Sequence, residues 1–285
     1  MPDQTRSSLM SPATVIEMRR ASKRLPAGVN EVKKAFTDIS LSVNHGHRLG
    51  LFSVNNYEAQ TLLECLAGVE KPDKGLVLHH ATVSWPVGTN QAFHNKLSGY
   101  ANARFAAEIY SQPGRIEADL RLIQELTGAD DATFHEPMAA WQSQMKKALE
   151  LAVSLAFEFD VMAVGKINSW NHKSIHPRSL RIRELFERRI DGRTLVMAAP
   201  GQNKLALDFC DEGLAIVDGR LLYRGDPEIC LELVKEENRR LKYERRQLEE
   251  ADIARLLQEH EDDEVQDDDK NGDEEGGWGG PRGVA

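Results

Sequence analysis

Three short apolar runs constrain the fold of this chain more than any other feature. Arg48-Leu49-Gly50-Leu51-Phe52, Val161-Met162-Ala163-Val164 and Thr194-Leu195-Val196-Met197 are too short for helices, and apolar residues follow one another in them without the alternation of a half-exposed strand. Such runs belong to strands covered on both faces, as at the centre of a parallel sheet. Helical periodicity falls between them. Gln144 to Phe157 places Met145, Leu149, Ala152 and Leu155 or Ala156 on one face, and Ser179 to Ile190 is a second such stretch. Strands alternating with helices predict an α/β fold, a mostly parallel sheet with helices packed around it.

The rest of the chain fits around that centre. Thr14 to Met18 reads as a short strand, followed by a basic, turn-rich stretch through Arg24 and Pro26. Ala35 to Val43 alternates apolar and polar residues, the period of a half-buried strand. A polar loop from Ser53 to Gln60 leads to a short helix, Thr61 to Ala67, with Gly68 as its C-terminal stop. Lys71 to Gly75 is a turn before a strand at Leu76 to Leu78, and Asn102 to about Leu126 is helical. Leu214 to Tyr223 is a hairpin about the tight turn Asp218-Gly219. Residues 1–12 form a loose Ser/Pro-rich lead, residues 13–230 one domain with a helical subdomain near 95–157, and residues 231–260 a charged helix. In that helix Val234, Leu241 and Leu248 recur at seven among polar companions, which favours a docking helix over a coiled coil. Residues 261–285, acidic and then Gly-rich, are expected to be disordered.

Charge narrows the partners. Residues 261–275 hold ten acids and one lysine, which accounts for the whole net charge of −9. The folded part is therefore neutral and offers no general field for nucleic acid. Cys65, Cys210 and Cys230 stand alone, without metal-site spacing, and read as buried thiols in a reducing compartment. No apolar run is long enough to span a membrane and the N-terminal residues have no apolar signal core, so the protein is expected in the cytoplasm, reaching a membrane only through a partner.

Particular stretches, in their order, carry a resemblance to a family. Leu66-Ala67-Gly68-Val69-Glu70-Lys71-Pro72-Asp73-Lys74-Gly75 resembles the stretch after the phosphate-binding loop of ABC cassettes. Val83-Ser84-Trp85-Pro86-Val87-Gly88 and Leu97-Ser98-Gly99-Tyr100-Ala101-Asn102 are similar to successive segments of the ATP-binding subunits of capsule polysaccharide exporters, and Glu158-Phe159-Asp160 and Phe209-Cys210-Asp211 also fit. The resemblance spans roughly residues 14 to 230. It implies the ABC cassette fold: a P-loop NTPase-like mixed sheet with a helical subdomain.

The same resemblance implies that the nucleotide chemistry is lost. A P-loop reads G-x-x-x-x-G-K-[ST], because bare backbone N–H groups cradle the phosphates, the lysine reaches them and the hydroxyl holds Mg²⁺. Counting back from Thr61, the glycine positions carry Ser53, Asn56 and Glu58, the lysine position Ala59 and the metal-binding hydroxyl position Gln60; only Thr61 matches. Such a lysine contributes about 1 to 4 kcal/mol, and a carboxylate beside its position opposes phosphate by a similar amount. After the Val161–Val164 strand the family's Asp-Glu pair becomes Gly165-Lys166, which removes the metal carboxylate and reverses the charge at the catalytic base. The signature loop carries Gln142, Ser143 and Gln144. No histidine occupies Ala198 to Gly201, where the switch histidine belongs, and no aromatic residue falls between Val15 and Phe36 to stack on adenine.

These losses favour a non-catalytic subunit or regulator with no catalytic residue, no metal and no cofactor. It would dock on a polysaccharide-export permease at the inner face of the cell membrane and pair with itself or with an intact cassette. One alternative is an ATP-binding subunit that binds ATP and Mg²⁺ and keeps residual or heterodimer-dependent hydrolysis; another is a scaffold outside transport that reuses the fold. Trp85 is a candidate partner contact, since the resemblance places it facing the membrane subunit; Trp170 has no assigned role. His45 and His47, and His79 with His80, read as exposed turn residues rather than a metal site. Arg178, Arg181, Arg183, Arg188 and Arg189 read as a solvated basic face.

Overall fold

The computed structural model of the chain describes residues 13–28, 31–88, 93–167 and 170–271. The lead over residues 1–12 and the end of the tail from Gly272 lie outside the described residues. Residues up to Lys235 form one compact unit, and Glu236 onward a second.

Two sheets build the first unit. β1 (Thr14–Gly28), β2 (Glu31–Asn44) and β4 (Lys74–His79) form an antiparallel sheet in the order β2-β1-β4. β3 (Arg48–Ser53), β5 (Val161–Val164), β6 (Thr194–Ala198), β7 (Glu212–Val217) and β8 (Arg220–Gly225) form the other, in the order β5-β6-β3-β7-β8, parallel except for the β7–β8 hairpin. Helix α1 (Asn56–Leu66) follows β3. Five helices fill the middle of the chain: α2 (Gly99–Tyr110), α3 (Ile116–Thr127), α4 (Asp131–His135), α5 (Ser143–Ala156) and α6 (Pro177–Ile190). α7 (Asn203–Phe209) links β6 to β7, and α8 (Pro227–Asn271) follows β8.

The apolar runs do what their pattern predicts. In β3, β5, β6 and β7 successive side chains enter two different cores. Leu49, Leu51, Val161, Ala163, Val196, Ala198, Leu214 and Ile216 face a core shared with β1, β2 and α1. Phe52, Met162, Val164, Leu195, Met197 and Ala215 face one shared with the helices. This period-2 split between two apolar layers is why alternation is absent from the sequence.

Several boundaries differ from expectation. β1 is one long strand, and the stretch around Arg24 and Pro26 continues it instead of turning. Its register with β4 ends at Ser22↔Lys74, so Pro26 pairs only with β2 and no ladder needs its missing N–H. α1 begins at Asn56, ahead of the expected Thr61. The helical stretch 102–126 is two helices, broken where Ser111 to Gly114 includes Pro113. α8 runs to Asn271, past His260, because no proline or glycine interrupts residues 228–271 and straight-chain charged residues are good helix formers. Arg189 is not on a solvated face: it is buried and donates to Leu155 O at 2.9 Å, Ala156 O at 2.5 Å and Glu158 Oε1 at 2.7 Å. It thereby satisfies carbonyls at the end of α5 that the helix leaves unpaired.

The three cysteines are buried, and burial pushes the thiols of Cys65 and Cys210 up to about 12 and that of Cys230 to about 11. Removing the residues after His260 is expected to change the melting temperature of the cassette unit by no more than about 2 °C, the equivalent of about half a kcal/mol. Scanning calorimetry of the truncated and full-length chains measures this, and a larger drop would show that the tail supports the fold.

Candidate functional site

The turn from β3 into α1 is where the resemblance puts the phosphate loop, and a carboxylate is buried in it. Ser53 ends β3, Asn55 is the N-cap of α1, and Glu58 sits in the helix's first turn. Glu58 is only 1% exposed. Its carboxylate accepts hydrogen bonds from the Ser53 hydroxyl and from Asn55 Nδ2, the latter at 3.1 Å. Ser53 Oγ in turn accepts the Asn55 N–H at 3.1 Å. The backbone N–H of Gly219, in the β7–β8 turn, also bonds Glu58, while the Gly219 carbonyl accepts the Thr37 N–H at 2.7 Å. The positive φ of 68° at Gly219 makes this close approach possible. One side chain therefore ties β3, α1 and the hairpin together at a helix N-terminus, which favours negative charge. The same contacts accompany the early start of α1: Asn55 is extended, its carbonyl accepts the Glu58 N–H at 3.1 Å, and its side-chain amide is held by the Glu58 carboxylate in the first turn.

The neighbouring positions of the turn are placed as follows. Ala59 is fully buried in the core beneath the sheets, Asn56 is exposed, and Gln60 Nε2 donates to Glu64 Oε1 at 2.9 Å. Thr61 is buried. A cleft of about 750 Å³ between Tyr57, β2 and the β7–β8 hairpin has Lys34 and Arg220 on its walls and the acids Glu58 and Asp218 beside them. Arg24, near the place of the adenine-stacking aromatic, is exposed and its backbone N–H bonds Asp73 Oδ2 at 2.8 Å.

Burial raises the Glu58 carboxyl above its ordinary value; Asp218 adds to this, and the bonds from Ser53, Asn55 and Gly219 oppose it. The sign of the pH effect follows. Below pH 4.5, the ordinary value, the group is neutral in both folded and unfolded chains and its contribution is whole. Above it the unfolded chain releases the proton first, and stability falls until the folded group has titrated too. Relative to Glu58→Gln, the natural protein is thus expected to lose stability as pH rises from below 4.5. Urea titrations of both proteins across that range measure the difference, and a rise instead would contradict the role given to burial.

At the end of β5, Gly165 and Lys166 occupy the places of the metal carboxylate and the catalytic base. Lys166 is exposed, lies against Gly201 and has no ion pair among the described residues. The segment is held by Gln202, which sequence reasoning missed. Its Nε2 donates to Gly165 O at 2.6 Å and Ala198 O at 2.7 Å, and its Oε1 accepts the Ile167 N–H at 3.0 Å. A polar residue just past a buried strand was the available signal, but it lies outside the window where a switch histidine was sought. Gln142, Ser143 and Gln144 are exposed at the start of α5, and Gln142 caps the helix without a side-chain hydrogen bond. No hydrogen bond or ion pair among the described residues connects them to the β3–α1 turn.

A second site is apolar. The segment Val83 to Val87 runs parallel to β5 through bridges Val83↔Val161 and Val87↔Val164, and Ser84 Oγ accepts the Ala163 N–H at 3.0 Å. This fixes Trp85 as the floor of a groove of about 300 Å³. Its Nε1 donates to Ser154 Oγ at 3.0 Å, and its ring lies 4.9 Å from Tyr110 and 5.6 Å from Phe159. Val69, Phe105, Ile109 and Tyr110 line the groove and stay exposed, Phe105 to 65%. Trp170, by contrast, is buried, with its Nε1 donating to Ser179 O at 3.2 Å.

Among the described residues no group of three potential metal ligands occurs, and no helix is long and apolar enough to cross a membrane. His79 is held by Leu66 O at 2.8 Å, and His47 lies 3.6 Å from Glu212.

No protein-family model matches the chain. It is similar to the polysialic acid transport ATP-binding protein KpsT of Escherichia coli, 25% identical over 207 residues, 73% of this chain and 89% of that protein. It is also similar to the capsule polysaccharide export ATP-binding protein CtrD of Neisseria meningitidis serogroup B, 27% identical over 185 residues, 65% of this chain and 82% of that protein. Among solved structures, the dimeric post-hydrolysis state of the ATP-binding cassette MJ0796 bound to ADP and Pi superposes with a TM-score of 0.59 at 11% identity, covering 74% of this chain and 98% of that one. That likeness establishes the cassette fold.

Proposed function

We propose that the chain, which has the cassette fold and is similar to ATP-binding proteins of polysaccharide export, is a non-catalytic cassette of an ABC-type export system. It docks on an export permease and works without binding ATP. The observation that carries this reading is Glu58, a carboxylate buried in the turn where the resemblance puts the phosphate loop and held there by Ser53, Asn55 and Gly219. Ala59 in place of the lysine, and Gly165-Lys166 in place of the two carboxylates, support it from independent positions.

Damage to both the β3–α1 turn and the signature positions bears on pairing as well. In a cassette dimer each nucleotide lies between the phosphate loop of one subunit and the signature loop of the other. This chain would therefore impair both sites, even beside an intact partner. Its role is then positional: it fills a subunit place at the inner face of the membrane, as a homodimer or beside an intact cassette, and contributes a docking surface. The Trp85 groove, on a segment that resembles the exporters, is that surface.

Affinity purification of the full-length protein from membranes tests the proposal. The expected result is a polytopic permease recovered with the chain, in complexes whose assembly does not depend on ATP. Recovery only from the soluble fraction, or assembly that requires ATP, would overturn it.

A further inference from the structure

Among the described residues the second unit is a single helix, the stretch of α8 from Glu236 to Asn271. Its charges are sorted into two blocks. Residues 239–246 hold five cations and one acid, and residues 259–269 hold eight acids with no lysine or arginine. Most of the apolar residues of this stretch lie between the blocks. Two of them, Leu248 and Ile253, are 68% and 58% exposed.

That order suits no helix standing alone. A helix C-terminus carries partial negative charge, which favours cations there and opposes acids. Acids three or four residues apart on a helix also repel one another. Only Arg255 and Lys270, at the edges of the acidic block, stand at that spacing from one of its acids with the opposite charge. The basic block is also poorly matched. Arg240 pairs with Glu237 at 2.6 Å and Glu244 at 3.6 Å, but Arg239, Lys242, Arg245 and Arg246 have no ion pair among the described residues.

A second copy of the chain supplies what each block lacks. The blocks are centred about 21 residues apart, about 32 Å along the helix, and the point midway between them is Ile253. Two α8 helices laid antiparallel across Ile253 bring the basic block of each against the acidic block of the other. The exposed Leu248 and Ile253 then lie at the crossing, where burial favours the pair. A parallel pair would instead set like charges against like.

We propose that two copies of this chain associate through α8 as an antiparallel helix pair, basic block against acidic block, with Ile253 at the two-fold axis. The pairing goes beyond the reading of the cassette as a docking subunit and does not rest on it, since it uses residues of the second unit alone.

Sedimentation of the full-length protein tests this. The natural chain is expected to dimerise, at least about tenfold more weakly at high salt than at low, because exposed charge pairs are screened. Reversing the basic block with Arg239→Glu, Arg240→Glu, Arg245→Glu and Arg246→Glu should abolish self-association. Reversing the acidic block with Glu261→Lys, Asp262→Lys, Asp263→Lys and Glu264→Lys should do the same. The two variants mixed should pair with each other, because every block then meets its opposite, and an unchanged melting temperature of the cassette shows that both are folded. A thiol cross-linker reads the orientation, the natural cysteines being buried. Ile253→Cys should link to itself, and Leu241→Cys should link to Val265→Cys in a mixture but not to itself. A natural chain that stays monomeric, leaving the helix to some other partner, would overturn the proposal. So would a dimer that survives both reversals, a failure to pair on mixing, or Leu241→Cys linking to itself.

Discussion

Rebuilding the loop after β3 with Ser53→Gly, Asn56→Gly, Glu58→Gly, Ala59→Lys and Gln60→Ser is expected to confer nucleotide binding with little or no hydrolysis. Binding rests on backbone N–H groups at the helix N-terminus and on the lysine, and these changes supply both. They also remove the carboxylate that now fills the space. One lysine at about 4 Å from a phosphate contributes about 1 to 4 kcal/mol, or about fivefold to a thousandfold in affinity. The introduced lysine would start from the apolar core that now encloses Ala59 and would have to reach out along the loop. The rebuilt protein is expected to be less stable, since Asn55 and Gly219 lose the Glu58 acceptor and the Asn55 N–H loses the Ser53 hydroxyl. Hydrolysis needs more. Gly165 and Lys166 supply neither a metal carboxylate nor a base, Gln202 holds that segment by three hydrogen bonds, and Gln142 and Gln144 stand where a signature loop would close. Gly165→Asp with Lys166→Glu should be required in addition, and signature repair beyond that. Turnover well above background in the loop repair alone, measured as phosphate release, would show that another residue acts as base and would return the chain to the ATPases.

The second large effect is on assembly. Phe105→Asp combined with Ile109→Asp should release the protein from its membrane partner with the fold unchanged. Both side chains are more than half exposed, so neither change opens a core cavity. Each puts a carboxylate into an apolar groove that already holds Glu150, and losing two such anchors should cost about 2 kcal/mol or more of binding, at least about thirtyfold. Trp85→Ala is expected to act in the same direction. It is the less clean variant, because the indole bonds Ser154 and packs on Tyr110 and Phe159. Co-purification yield and melting temperature together read the outcome. An unchanged yield with the double variant would show that docking uses another surface.

How much of this was legible in the sequence depended on where the deciding information lay. The strands β3, β5 and β6 were visible because burial on both faces leaves an uninterrupted apolar run. The β7–β8 hairpin was visible because Asp218-Gly219 meets the backbone demand of its turn. β1 was cut short because Arg24 and Pro26 look like a turn; that they extend a strand depends on β4 ending beside Ser22, which is a fact of pairing. α7 was missed because Asn203 to Phe209 is only two turns long, too short for a helical period to stand out. At the candidate site the residue types were legible and their contacts were not. A sequence shows that Glu58 stands where a glycine belongs and opposes phosphate. Only the fold shows that it reaches Ser53, Asn55 and Gly219, residues from three elements. Arg189 was misread for the same reason, since its partners lie on α5 and the turn after it.

The central claim is that this cassette buries a carboxyl side chain of its own where the family carries a nucleotide. Titration of Mg²⁺–ATP into the purified full-length protein near neutral pH, followed by calorimetry, tests it most directly. The account predicts no binding heat, with Glu58 ionised or protonated, because neither the lysine, the glycines nor the metal carboxylate is present. A saturable isotherm with micromolar affinity would contradict it.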